Sequence, residues 1–286
     1  MNEFLAVDSR LPELKALYLS CFEEDKRAAD IIFQNILSSS YSYCARVDGE
    51  LAAALYLLPC SLSDGGKNLK AHYLMGASTL QRFRGRGLMS GLIKYALEDA
   101  KSRGDLYSVL EPANPSLYDF YSRLGYRRAY QSSVFDFYSD NNINLNSNFQ
   151  VLTKNSFDTW AELRFNICMN IRGSVQWTAP HLLYSSEVCA AYGGGALGCD
   201  FGYAVFIKDE QGVRVGELMC APERLKELLA ALAQTLGVDK LRVRCPVALA
   251  ERAGIKNVEK IDMGMLLPLC CEELTAESAY LGLSLD

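Results

Sequence analysis

The sequence predicts an α/β (α+β) protein, and three observations carry that prediction. Residues 73–110 read strand, helix, strand. Short strands joined by Asp-Gly and Gly-Gly turns precede them, and the pattern of strand, helix and strand returns in the second half of the chain. Taken in order, residues 4–7 form a first strand and residues 11–22 and 27–38 two amphipathic helices. Residues 42–47 and 51–60 are alternating or apolar strands joined at Asp48-Gly49, a hairpin signal. Asp64-Gly65-Gly66-Lys67 turns the chain again into an apolar strand over residues 73–80. The helix after it carries Leu88, Leu92, Ile93, Ala96, Leu97 and Ala100 on one face, and residues 106–110 are the next strand. A pair of strands is expected over residues 127–138.

The joint between the 73–80 strand and its helix is Arg84-Gly85-Arg86-Gly87-Leu88-Met89. Glycines there expose the main chain, and successive N–H groups at a helix N-terminus converge on an anion. Arg82, Arg84 and Arg86 add charge-assisted donors, so the stretch reads as a phosphate cradle. The alternative is a surface turn with capping glycines and solvated arginines. No Gly-x-x-x-x-Gly-Lys-Ser/Thr is present, and no acidic residue ends a second parallel strand where a dinucleotide site needs one.

Beyond the 106–110 strand come Asn114, a short helical stretch with Tyr118, Phe120 and Tyr121, and Gly125-Tyr126. Together these motifs resemble the GNAT superfamily of acyl-CoA-dependent N-acetyltransferases. That family carries Arg/Gln-x-x-Gly-x-Gly/Ala after its fourth strand, then Asn, a short helix, Tyr, and Gly-Phe/Tyr. Arg84, Gly87, Asn114, Tyr121, Gly125 and Tyr126 match it over residues 73–126. Met89 stands where Gly or Ala is commonest, and Gln81-Arg82 replaces the frequent Pro-Glu. Met at that place is similar to the enhanced-intracellular-survival branch, which carries a second GNAT-like half.

The resemblance implies a GNAT fold with a mixed central sheet, followed by a second, degenerate GNAT-like domain. It also implies acetyl-CoA as cosubstrate and transfer of its acetyl group to a primary amine of a small molecule or peptide, by direct attack in a ternary complex. Arg84, Gly85, Arg86, Gly87, Leu88, Met89 and Asn114 would hold the CoA. Backbone N–H groups at Ala77, Ser78 and Thr79 would face the acyl carbonyl, and Tyr121 would both contact the CoA and protonate the departing sulfur. Tyr118, one turn earlier, is the fallback, and core packing is the structural alternative for either ring. For the base, no Glu or Asp lies between residues 69 and 80, which leaves His72 as the near-neutral titrating group there, with a half-exposed structural role as its alternative. In the enhanced-intracellular-survival branch the C-terminal carboxylate enters the site, which points to Asp286. An amine that arrives neutral needs only water. A non-catalytic acyl-CoA-binding or partner-binding module keeps the cradle without needing Tyr121.

Residues 139–148 are Asn-rich and fit neither periodicity, so the sequence predicts a linker, with domains over 1–140 and 149–286. The second half reads as a helix over 156–169, strands over 202–207 and 213–220, a helix over 222–236 and a strand over 241–245. At its strand-to-helix joint stands Ala221-Pro222-Glu223-Arg224. Pro222 offers no N–H and Glu223 has the wrong charge for an anion, so this copy is expected to hold no pyrophosphate.

Bulk composition narrows the function further. The chain has 286 residues, is 50% hydrophobic and carries a formal net charge of −5, which argues against a general nucleic-acid binder and suits a cationic amine. Ten cysteines without Cys-x-x-Cys, beside only two histidines, His72 and His181, predict reduced, mostly buried thiols and no metal. The longest apolar run, residues 51–60, is too short to span a bilayer, and the start lacks a basic signal-peptide region, so a cytoplasmic protein without membrane partners is expected. Composition leaves room for a homo-oligomer.

Overall fold

The structure, a computed structural model, describes residues 2–22, 25–139, 150–151, 154–270, 274 and 278–283. β1 (Asn2–Val7), β2 (Tyr41–Val47), β3 (Glu50–Asp64) and β4 (Lys67–Thr79) form an antiparallel run, with α1 (Pro12–Cys21) and α2 (Lys26–Ile31) between the first two strands. The expected helix over 27–38 changes character midway: α2 passes into a π-helical turn (Ile32–Ile36) and a 3₁₀ turn (Leu37–Ser39). The turns at Asp48-Gly49 and Gly65-Gly66 place both central residues at positive φ, as tight hairpins demand.

From β4 the chain crosses through α3 (Leu88–Ser102) to the parallel β5 (Tyr107–Leu110), then through α4 (Leu117–Ser122) to β6 (Arg127–Tyr138). β6 is one unbroken strand instead of the expected pair. Long cross-strand ladders on both of its edges, to β12 (Lys240–Cys245) and β13 (Glu259–Pro268), keep it extended through Ser132-Ser133.

The second half contains β7 (Gln150–Val151), α5 (Lys154–Cys168), β8 (Val175–Gln176), α6 (Ala179–Ala191), β9 (Gly195–Cys199), β10 (Gly202–Asp209) and β11 (Gly212–Cys220). α7 (Leu225–Leu236), β12, α8 (Val247–Arg252) and β13 complete it. All these strands but β8, which pairs with β3, lie in one path with those of the first half, in the order β1-β2-β3-β4-β5-β13-β6-β12-β11-β10-β9-β7.

That order interleaves the halves. β13, from the end of the chain, lies between β5 and β6, and β6 lies between β13 and β12. The run β4-α3-β5-α4-β6 recurs as β11-α7-β12-α8-β13, and each run lends its last strand to the other. Alternation in β3 shows how the sheet is covered: Ala53, Leu55 and Leu57 face the α3 cluster, while Ala54, Tyr56 and Leu58 face the larger core shared with α1, α5 and α6. α7 closes a separate cluster, with Leu225, Leu228, Leu229 and Leu232 against Phe135, Leu241 and Val243.

At the centre of the shared core, Arg164 and Glu217 form an ion pair at 2.9 Å with almost no exposure. Tyr203 and Tyr280 also donate to Glu217, and Arg164 donates to the carbonyls of Val175 and Leu281. The pair thereby ties α5, β8, β10, β11 and the tail to one point. The expected linker falls on residues 139–148, of which all but Ser139 lie outside the described residues.

Ending the chain after Ser139 removes β13 and leaves β5 and β6 with open ladders on facing edges. The 1–139 fragment is expected to aggregate when expressed alone and to become soluble when residues 149–286 are co-expressed. A soluble, cooperatively unfolding 1–139 fragment would show that the exchanged strand is dispensable.

Candidate active site

β4 and β5 are hydrogen-bonded in parallel from Ala71–Tyr107 to Tyr73–Val109, and there the pairing stops. β4 continues to Thr79 against β3 alone, while Leu110 pairs with Met265 of β13. The two strands part after Tyr73, and alternate N–H groups of residues 74–79 face an open edge. Between Ala54 and Tyr56 the β3 register slips, because β4 carries an extra residue at Gly76-Ala77. Gly76 has φ +60°, and a Cβ there would lie 2.9 Å from the Tyr56 ring. The bulge therefore needs glycine and re-aims the backbone of Ala77, Ser78 and Thr79.

A 3₁₀ turn (Gln81–Phe83) leads from β4 to the glycine loop. Gly85 and Gly87 have φ +74° and +73°, and a Cβ on either would meet open space, so the left-handed backbone, not crowding, selects glycine. No side chain caps α3, and its first helical hydrogen bond runs from Gly91 N–H to Gly87 O. The N–H groups of Leu88, Met89 and Ser90 therefore have no acceptor inside the helix. Around them, Arg84 Nε donates to Thr79 O at 3.0 Å, Arg82 pairs with Glu50, and Arg86 lies 5.3 Å from the Phe83 ring centre. The loop thus unites a bare helix N-terminus with cationic side chains next to the β4 edge.

Asn114 starts α4: its side-chain oxygen accepts from Ser116 N–H at 3.1 Å and from Ser116 Oγ at 2.6 Å. Tyr121 is nearly buried in the α3 cluster with Leu92, Ile93 and Met265, its ring edge-on to Tyr126. Tyr118 donates from its hydroxyl to Asp262 O of β13 at 3.2 Å, and burial, with the Glu111 charge next, raises its pKa.

A model of the acetyltransferase (GNAT) domain matches residues 5–129. The chain carries a GNAT acetyltransferase domain. No curated protein matches the chain. More than nine-tenths of it is similar in fold to solved structures at low identity. A probable N-acyltransferase from Enterococcus faecalis aligns at TM-score 0.76 and 14% identity, covering 94% of this chain and 73% of that one. A GCN5-related N-acetyltransferase from Anabaena variabilis gives 0.73 and 17%, covering 93% and 72%. Eis1 from Mycobacterium abscessus gives 0.67 and 17%, covering 94% and 74%.

The two residues expected to act as the base remain, His72 and Asp286. His72 is fully buried, not half-exposed; its Nδ1 lies 2.9 Å from Asp105, and its Nε2 has no partner among the described residues. At about 3.3 Å per residue it sits roughly 16 Å along β4 from Ala77. The fold does not bring it to the open edge. Asp286 lies outside the described residues. Two features escape a sequence reading. Glu111 directly follows β5, at the mouth where the strands part, and Tyr18, Phe33 and Tyr56 pack edge to face beside the Gly76 bulge. The signal for both was present, in a glycine inside an apolar strand and an acid at a strand end, but strand pairing gives it meaning.

The corresponding joint of the second half differs in build. Its 3₁₀ turn (Pro222–Arg224) runs directly into α7, with no counterpart of residues 84–87 and with Arg224 in right-handed geometry, bonded to Glu227 at 2.7 and 2.9 Å. Among the described residues, no group of His, Cys, Asp and Glu is placed to hold a metal, and no helix is long and apolar enough to cross a membrane. The described cysteines are free thiols, with Cys44, Cys168, Cys220 and Cys245 buried.

Both histidines are held neutral by the fold. Burial lowers the pKa of His72 against the opposing pull of Asp105, and burial, then the Arg164 charge, lowers that of His181 to about 4. The Nδ1 of His181 accepts the Thr178 N–H at 3.2 Å in the capping box of α6. With folded pKa values below the free value of about 6.5, the unfolded chain binds protons first as pH falls. Stability is expected to be full above about pH 7 and to decline from about pH 6.5 downward. Thermal unfolding between pH 5 and 8 measures it, and a flat Tm would refute the assignment.

Proposed function

We propose that the chain is an N-acetyltransferase that moves the acetyl group of acetyl-CoA to a primary amine of a small molecule or peptide within a ternary complex. The observation that carries this reading is the juxtaposition of the open β4 edge after Tyr73 with the uncapped, glycine-led N-terminus of α3. Pyrophosphate binds the N–H groups of Gly85 to Met89, with Arg84 and Arg86 alongside, and the pantetheine arm runs toward the gap between β4 and β5 past Asn114. The thioester carbonyl accepts from the β4 backbone at Ala77 to Thr79. A neutral amine attacks the carbonyl carbon, and the bulged backbone steadies the oxyanion that forms. Collapse breaks the C–S bond, and Tyr121 hands its phenolic proton to the sulfur as charge develops. The ammonium proton leaves to water or to a carboxylate at the mouth, where Glu111 stands. The second half, a degenerate copy without the glycine loop, holds no CoA and supplies β13.

Free thiol released from acetyl-CoA in the presence of a panel of polyamines, aminoglycosides, amino acids and peptides tests the activity. Gly87→Glu places a negative charge and a strained Cβ at the cradle and is expected to abolish acetyl-CoA binding; calorimetric affinity equal to wild type would move the site elsewhere. Tyr121→Phe keeps the ring and removes the hydroxyl. Turnover is expected to fall by about 10²-fold with CoA affinity retained. Unchanged turnover would transfer the proton donation to Tyr118 or water, and loss of folding would make the hydroxyl a structural partner.

A further inference from the structure

A half-open cavity of about 520 Å³ lies between α6 and the sheet, lined mostly by the second half, with Ile32 and Val134 of the first half completing it. Small-molecule sites commonly span about 300–1,000 Å³. Much of its lining is apolar, including Val188 of α6, Val205 and Ile207 of β10 and Leu283 of the tail. Three arginines share the lining. Arg214 and Arg242 are direct partners in the parallel β11–β12 ladder, and Arg244, two residues further along β12, falls on the same face as Arg242. Arg244 Nε donates to Gly216 O at 2.8 Å, which holds its guanidinium where β11 and β12 part after Val215 and Val243.

The charge of the site has one sign available to a ligand. Glu217 is the acid among the described lining residues, and both its oxygens are engaged, Oε1 by Arg164 and Tyr203 and Oε2 by Tyr280. It has no role left as counter-ion for an entering amine. Arg214 pairs with Asp209, and Arg242 with Asp136 and Glu259, but these are half-exposed surface pairs. Such pairs are worth only about 0–1 kcal/mol, so an arriving anion can share their guanidinium groups.

We propose that this cavity binds an amphipathic carboxylate, its apolar body against Val188, Val205 and Ile207 and its carboxylate at Arg242 and Arg244. The site is separate from the acetyl-transfer centre. β5, β13, β6 and β12 lie between β4 and β11, a separation of roughly 20–25 Å at about 4.8 Å per strand. The proposal stands whether or not the first half transfers acetyl groups.

Isothermal titration of the full chain with decanoate, decanol and decylamine, each with and without saturating CoA, tests it. Decanoate is expected to bind one per chain, with the same affinity in the presence of CoA, and decanol and decylamine at least tenfold more weakly. Val188→Trp, which puts an indole into the cavity where the apolar body would lie, and Arg242→Gln, which removes a charge from an exposed position, are each expected to weaken decanoate at least tenfold. CoA affinity and cooperative thermal unfolding should be unchanged in both. Arg244→Gln is expected to do the same where the variant folds, and the first two variants decide the matter if it does not. Absence of decanoate binding, equal affinity for decylamine, displacement of decanoate by CoA, or a folded Val188→Trp with wild-type decanoate affinity would each overturn the proposal.

Discussion

The ladder β5-β13-β6 is the constraint on which the rest of the molecule depends. A strand from the end of the chain satisfies the backbone groups of two strands that precede it by more than a hundred residues, so neither half closes its own sheet. Because β13 takes the far edge of β5, β5 is held between two partners and stops at Leu110 while β4 runs on. The opening between β4 and β5 is thus a consequence of the long-range pairing as much as of local sequence. The same strand supplies the Asp262 carbonyl that receives the Tyr118 hydroxyl, which removes that tyrosine from easy use as a proton donor.

Around this frame the two runs of strand, helix and strand have diverged in opposite directions. In the first, four residues separate the 3₁₀ turn from α3 and leave the helix N-terminus bare; in the second, the 3₁₀ turn flows into α7 and Arg224 is bonded to Glu227. Where the first run leaves a gap between its parallel strands, the second fills the equivalent gap with Arg244. One half carries a backbone prepared for an anion at a helix end, and the other carries side-chain cations beside an apolar cavity.

The buried Arg164–Glu217 pair joins these parts at high electrostatic stakes. Removing either partner of such a pair strands an uncompensated charge, commonly a loss of about 3–5 kcal/mol. Here the remaining donors and acceptors are filled by Tyr203, Tyr280 and the carbonyls of Val175 and Leu281, so the tail is fixed against α5, β10 and β11.

The sequence by itself determined what depends on near neighbours. Asp48-Gly49 and Gly65-Gly66 set tight hairpins, the apolar stripe from Leu88 to Ala100 set α3, and the Arg84 to Met89 motif set the glycine loop, because turn geometry and helical periodicity act over a few residues. Only the tertiary structure decided the partners. That β6 is one strand, that β13 crosses into the first half, and that the β4 bulge needs Gly76 against Tyr56 follow from ladders and contacts between distant segments. His72 shows the difference at a single residue. Its side-chain type suggested a titrating base on the stretch of residues 69–80, but strand length and burial against Asp105 put it deep in the core, about 16 Å along β4 from the bulged backbone.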